Sequence, residues 1–114
     1  MLNRSAVSVG QLLKWGRCYE EEGLLNDAVD FYERANSSEP LERLLDLACR
    51  EGDAFIYGRI LRALNREATA QEWISLAKRA EELGKDAFAG EALKRGGIKA
   101  ERAEAPESQN SPSP

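Results

Sequence analysis

An apolar quartet spaced i, i+3, i+4, i+7 recurs along this chain, and each pair of quartets is divided by a glycine. Leu12, Trp15, Gly16 and Tyr19 precede Gly23, and Ala28, Phe31, Tyr32 and Ala35 follow it. The second copy is Leu41, Leu44, Leu45 and Ala48, then Gly52, then Tyr57, Ile60, Leu61 and Leu64. The third is Trp73, Leu76, Ala77 and Ala80, then Gly84, then Ala89, Ala92, Leu93 and Gly96. This spacing gathers four side chains on one helix face, and glycine suits the residue just past a helix end. The pattern predicts an all-α chain of six helices in three helix-turn-helix hairpins. Such units bury a continuous core only by stacking, and stacked arrays serve as binding scaffolds far more often than as enzymes.

Local signals set the expected boundaries. Ser8 with Gln11 has capping-box form, so a first helix is expected over 9–22, ended by Gly23. Asn26 or Asp27 is expected to cap the second helix, which stops at the polar run 36–38. Pro40 suits a first helical residue, where its missing N–H has no helical partner, and predicts a third helix over 40–51. Asp53 is expected to cap a fourth helix ending near Asn65, and Thr69 with Glu72 to open a fifth. Gly84 then separates the fifth from the sixth, and Gly96-Gly97 closes the sixth. The hairpins thus span about 9–36, 40–65 and 69–96, between an N-terminal arm over 1–8 and a tail over 98–114. Within the tail, 98–105 has the makings of one more short helical turn. From Pro106 onward its Pro- and Ser-rich composition cannot bury enough surface to offset ordering, and it is expected to be disordered.

Composition narrows the functions. A formal charge of -4 and a pI near 5.0 leave no net positive field for a phosphate backbone, so nucleic acid is not the expected ligand. With no histidine and two cysteines, Cys18 and Cys49, a zinc site of the usual ligand types is not expected. Both cysteines fall inside predicted helices and are read as reduced thiols behaving as small buried hydrophobes. No cofactor is implied. The apolar run of a secretory signal is missing near the start, and no stretch approaches the ~18 apolar residues of a membrane span, so a soluble, cytoplasmic protein is expected. The triplet Asn36-Ser37-Ser38 has glycosylation form but is better read as a helix end.

The first hairpin resembles a tetratricopeptide repeat (TPR), whose pattern is W-x2-L-G-x2-Y followed by Gly, Ala, an aromatic, Ala and Pro. Here it reads L-x2-W-G-x2-Y, with Leu12, Trp15, Gly16 and Tyr19, then Gly23, Ala28, Tyr32, Ala35 and Pro40. The third hairpin is similar through Trp73, Leu76, Ala77, Ala80, Gly84, Ala89 and Leu93, with Gly96 in place of the final alanine. The second departs most, because Tyr57 stands where the family has a small residue at the helix crossing. Copies recur after 29 and then 32 residues, against about 34 in the family. The resemblance implies a right-handed α-solenoid whose first helices line a concave surface that holds a peptide or helix of a partner protein.

If the quartets face the core, a neighbouring stripe on each first helix is the candidate partner-binding groove. It comprises Leu13, Arg17 and Glu20 on the first helix, Glu42, Asp46 and Arg50 on the third, and Ile74, Lys78 and Glu81 on the fifth. Its signs alternate, which favours a ligand of mixed charge, and Leu13 and Ile74 offer apolar contact. The competing reading is that these are solvated faces of amphipathic helices. Some family members clamp a chaperone's terminal carboxylate, but Glu42 and Asp46 would repel one here. Trp15 and Trp73 sit within quartets and are read as core.

Catalysis has little support. A Ser-His-Asp set is impossible without histidine, a cysteine nucleophile lacks its usual base, and the acids at 20–22 and 81–82 diverge as helix neighbours. The expected role is therefore a non-enzymatic scaffold or adaptor for a protein partner. The alternative is a self-assembling, homo-oligomeric subunit, for which Phe55, Ile56, Phe88 and Leu24 or Leu25 are left over as an apolar patch. An RNA-binding array would need repeated basic positions that the chain does not show.

Overall fold

The computed structural model describes residues 7–98, which form six α-helices and no strand. They are α1 (Val9–Glu21), α2 (Leu25–Arg34), α3 (Ser38–Glu51), α4 (Ala54–Leu64), α5 (Ala70–Glu82) and α6 (Asp86–Arg95). The possible turn over 98–105, apart from Ile98 itself, the tail expected to be disordered and most of the N-terminal arm fall outside the described residues. The helices divide into two compact units: one holds 7–47 with Ile56–Arg66, the other Ala48–Phe55 with 67–98. α1 packs against α2 in the first unit, and α5 against α6 in the second.

All six helices end in the same way. The residue after the last turn has positive φ in each case: Gly23, Asn36, Gly52, Asn65, Gly84 and Gly97, between 54° and 81°. Its N–H returns to a carbonyl three residues back, and the next N–H reaches five residues back, as in Gly23 to Glu20 and Leu24 to Tyr19. This Schellman pair satisfies carbonyls that the helix leaves unpaired. Glycine takes the position within the predicted hairpins and after the third, and asparagine takes it between them.

Helix starts follow the sequence signals in three cases and depart from them in two, and α6 carries no such signal. Ser8 accepts from the Gln11 N–H, Asp53 from the Phe55 N–H, and Thr69 and Glu72 form a reciprocal capping box. α2 begins at Leu25 without a side-chain cap, placing Asn26 and Asp27 inside its first turn. The Schellman turn accounts for this, because Leu24 completes one helix end and immediately opens the next. α6 begins in the same way at Asp86, after Lys85. α3 starts at Ser38, so Pro40 is its third residue. That position tolerates proline because first-turn N–H groups have no intrahelical acceptor.

The cores rest on the predicted quartets. In the first unit Leu12, Ala28, Val29, Tyr32, Leu41, Leu44, Ile60 and Leu61 are buried, and in the second Trp73, Leu76, Ala77, Ala80, Ala89 and Ala92. Each large aliphatic or aromatic side chain buried in this way stabilises by about 1.5–3 kcal/mol, against about 0–1 for an exposed ion pair. Packing, more than surface charge, therefore stabilises each unit.

Three glycines allow close approach within these cores. A Cβ on Gly16 would lie 2.4 Å from the Tyr32 ring, and one on Gly96 would lie 2.7 Å from Trp73 Cβ. The second contact explains why glycine replaces the expected alanine at the end of the third hairpin. At Gly52 the neighbour is backbone, since a Cβ would stand 2.8 Å from Ala80 Cα.

Two expectations need correction. Trp15 is 37% exposed, whereas Trp73 is 7% exposed and belongs to the core as expected. Cys18 is exposed and Cys49 half-buried, and neither is in a disulfide. The helical period places Trp15 and Cys18 on the flank of α1 rather than at the centre of its buried face.

Candidate functional site: the stripes of the first helices

The nine stripe residues occupy the flanks of α1, α3 and α5 beside the buried positions. Leu13, Glu20 and Ile74 are half-buried, and Arg17, Glu42, Asp46, Arg50, Lys78 and Glu81 are exposed. On α1, Leu13 lies one residue beyond buried Leu12, and Arg17 one beyond buried Gly16. On α5, Ile74 and Lys78 have the same relation to Trp73 and Ala77.

The sequence reading missed the cations that engage this stripe. In the first unit Glu20 is held on two sides: the Tyr32 hydroxyl donates to its Oε1 at 2.7 Å, and the Arg43 guanidinium pairs with both carboxylate oxygens, with Nη2 to Oε1 at 3.1 Å. α1, α2 and α3 are thus joined through one carboxylate. Arg66 forms a two-point pair with Glu42, at 2.7 and 3.2 Å. Nearby on α4, Arg59 reaches Asp30 at 2.5 Å and Glu33 at 2.7 Å, both on α2. In the second unit Arg79 Nε donates to the Arg50 carbonyl at 2.7 Å, and Lys85 Nζ to the Glu51 carbonyl at 2.9 Å. No local pattern announces these links, because the arginine and lysine partners are 23 to 34 residues apart in sequence and Tyr32 is 12 from Glu20.

The network sets the protonation behaviour of its members. The Arg43 hydrogen bond holds Glu20 below the usual carboxylate range; burial opposes this, and the Tyr32 hydrogen bond and the Arg43 and Arg17 charges reinforce it. Burial first, and then the bond to Glu20, pushes the Tyr32 hydroxyl up to about 12. Burial lowers the Arg59 pKa, but its bonds to Glu33 and Asp30 outweigh that and raise it. Because Glu20 is depressed in the folded state, its stabilising effect is present above the ordinary glutamate pKa and is lost as pH falls through the lowered value. Glu20→Gln is therefore expected to be less stable than wild type at pH 7, with the gap closing as pH drops below about 4, the unperturbed glutamate range. Urea unfolding of both proteins across pH checks this; a gap that does not change with pH removes the carboxylate from the account.

The first unit also has an open pocket of about 100 Å³ lined by Glu33, Asn36, Ser37, Ser38, Leu41, Ala63 and Leu64. This is well below the several hundred Å³ of a small-molecule site. Among the described residues no helix is long and apolar enough to cross a membrane, and no cluster of three or more metal-ligating side chains occurs. The stripes thus set charged groups beside partly open apolar ones. Compared with models of protein families, with curated proteins and with solved structures, the chain matches none.

Proposed function

We propose that the chain is a protein-binding scaffold or adaptor built from TPR-like hairpins, and that the stripes of α1, α3 and α5 are the contact residues. In this reading the hairpins follow the right-handed solenoid implied by the resemblance. The observation that carries it is the pairing of a partly open apolar side chain with an exposed cation on two first helices: Leu13 with Arg17, and Ile74 with Lys78. A partner segment meeting either pair gains apolar contact and charge selection together, the combination by which grooves recognise helices and extended peptides. Exposed Asp46 and Glu81 supply the opposite sign, so the expected ligand carries both charges.

The test is to change Arg17, Asp46 and Lys78 together to alanine. Bait proteins of both sequences are compared for capture from an extract of the source cell, quantified by mass spectrometry. At least one protein retained by wild type is expected to fall about tenfold with the variant, corresponding to about 1.4 kcal/mol. Circular dichroism should show unchanged helix content. Equal capture of every retained protein rejects the stripes as the contact.

A further inference from the structure

The three hairpins treat equivalent positions differently. With the 29- and 32-residue offsets, Trp15, Tyr19 and Phe31 correspond to Leu44, Ala48 and Ile60, and then to Leu76, Ala80 and Ala92. The six later residues are at most 2% exposed, whereas Trp15 and Tyr19 are 37% and 38% exposed and Phe31 is half-buried. The first three form a connected aromatic cluster on α1 and α2. The Tyr19 and Phe31 rings stack at 5.3 Å, and Trp15 meets Phe31 edge-on at 5.6 Å. Leu24, 48% exposed, extends the apolar surface at the hairpin turn. The first hairpin therefore opens to solvent the positions that the other two bury.

We infer that this aromatic face of α1 and α2 is the two-fold contact of a homodimer. The occupant is indicated by charge. On α2, Asp27 lies four residues before Phe31 and Arg34 three after it, both on the same helix face and both exposed, with the Arg34 guanidinium 5.5 Å from the Phe31 ring centre. When two copies of α2 meet antiparallel about Phe31, Asp27 of each faces Arg34 of the other. The face is complementary to itself, as an isologous contact requires. Head-to-tail stacking lacks that support. Where the first hairpin buries Val29 and half-buries Leu25, the third has Gly90 and Asp86, both exposed.

The size of the face sets the strength. α1 has 13 residues and α2 has 10, so the helices are about 20 and 15 Å long and together about 20 Å wide. A footprint of roughly 400 Å² per copy is below the ~800 Å² of a standard interface, which places the dimer in the weak, concentration-dependent class. The inference rests on this face and not on the stripes, so the Arg17, Asp46 and Lys78 triple variant is expected to dimerise like wild type.

Sedimentation equilibrium of the whole chain from about 1 µM to about 1 mM, the range of a weak complex, tests the inference. The mass is expected to rise from one chain to two and stop there. Asp27→Arg and Arg34→Asp should each weaken dimerisation at least tenfold, and the double variant should restore it to within a few-fold. That recovery separates pairing from helix stability, because both changes place the wrong sign at the ends of α2 and their cost to folding adds. Circular dichroism confirms that each variant is folded. A monomer at every concentration, growth beyond two chains, or a double variant no better than the single ones overturns the inference.

Discussion

Gly52→Ala is expected to destabilise the protein by about 2–5 kcal/mol, the sum of two separate costs. The first is left-handed backbone: Gly52 has a φ of 68°, which an L side chain resists by about 1–2 kcal/mol. The second is overpacking, about 1–3 kcal/mol, because the new methyl would stand 2.8 Å from Ala80 Cα and 3.0 Å from Ala80 N. Backbone cannot swing aside as a flexible side chain can. Gly23→Ala is the matched control. It has a φ of 81°, and a Cβ there meets nothing within 4 Å. It should carry only the first cost. Urea midpoints of the two variants decide the matter, and equal shifts would mean that the turn and α5 do not approach as closely as described.

Tyr32→Ala is expected to cost about 3–5 kcal/mol, in the range for emptying a buried aromatic site. Tyr32 is 1% exposed, and its ring fills the space that Gly16 leaves open. The same geometry predicts a reversal of sign. Gly16→Ala should destabilise wild type, because a gain of up to about 1 kcal/mol in helix propensity is smaller than the overlap with an immobile ring. In the Tyr32→Ala background the overlap is gone, and Gly16→Ala should stabilise by up to about 1 kcal/mol. A double-mutant cycle by chemical denaturation reads this coupling directly. Additive effects would show that the ring does not pack on Gly16.

Local features were legible in the sequence. The capping box at Thr69 and Glu72 and the left-handed positions at Gly23, Gly52 and Gly84 depend on residues within a turn of one another. The starts of α2 and α6 were not legible, because no side chain caps them and the preceding Schellman turn sets the entry. The quartets identified the buried faces, but periodicity cannot say whether a neighbour covers the flank of a face, and so Trp15 was misread. The leftover apolar residues also sort differently. Ile56 is 7% exposed, whereas Phe55 is 48% exposed and pairs edge-on with half-buried Phe88 at 5.7 Å. The stripe positions follow from the helical period, but Arg43 on Glu20 and Arg66 on Glu42 do not, since each pairing spans more than twenty residues.

The cross-helix polar links have a bearing on ancestry. The links described above, from Tyr32 with Glu20 to Lys85 with the Glu51 carbonyl, join residues 12 to 34 positions apart. Each of these links thus spans about one repeat length or less, and each described helix closes with its own turn. A segment copied in such a chain would carry its turns with it and need new polar partners only within about one repeat length, so the chain's length is open to change by the copying of one segment at a time.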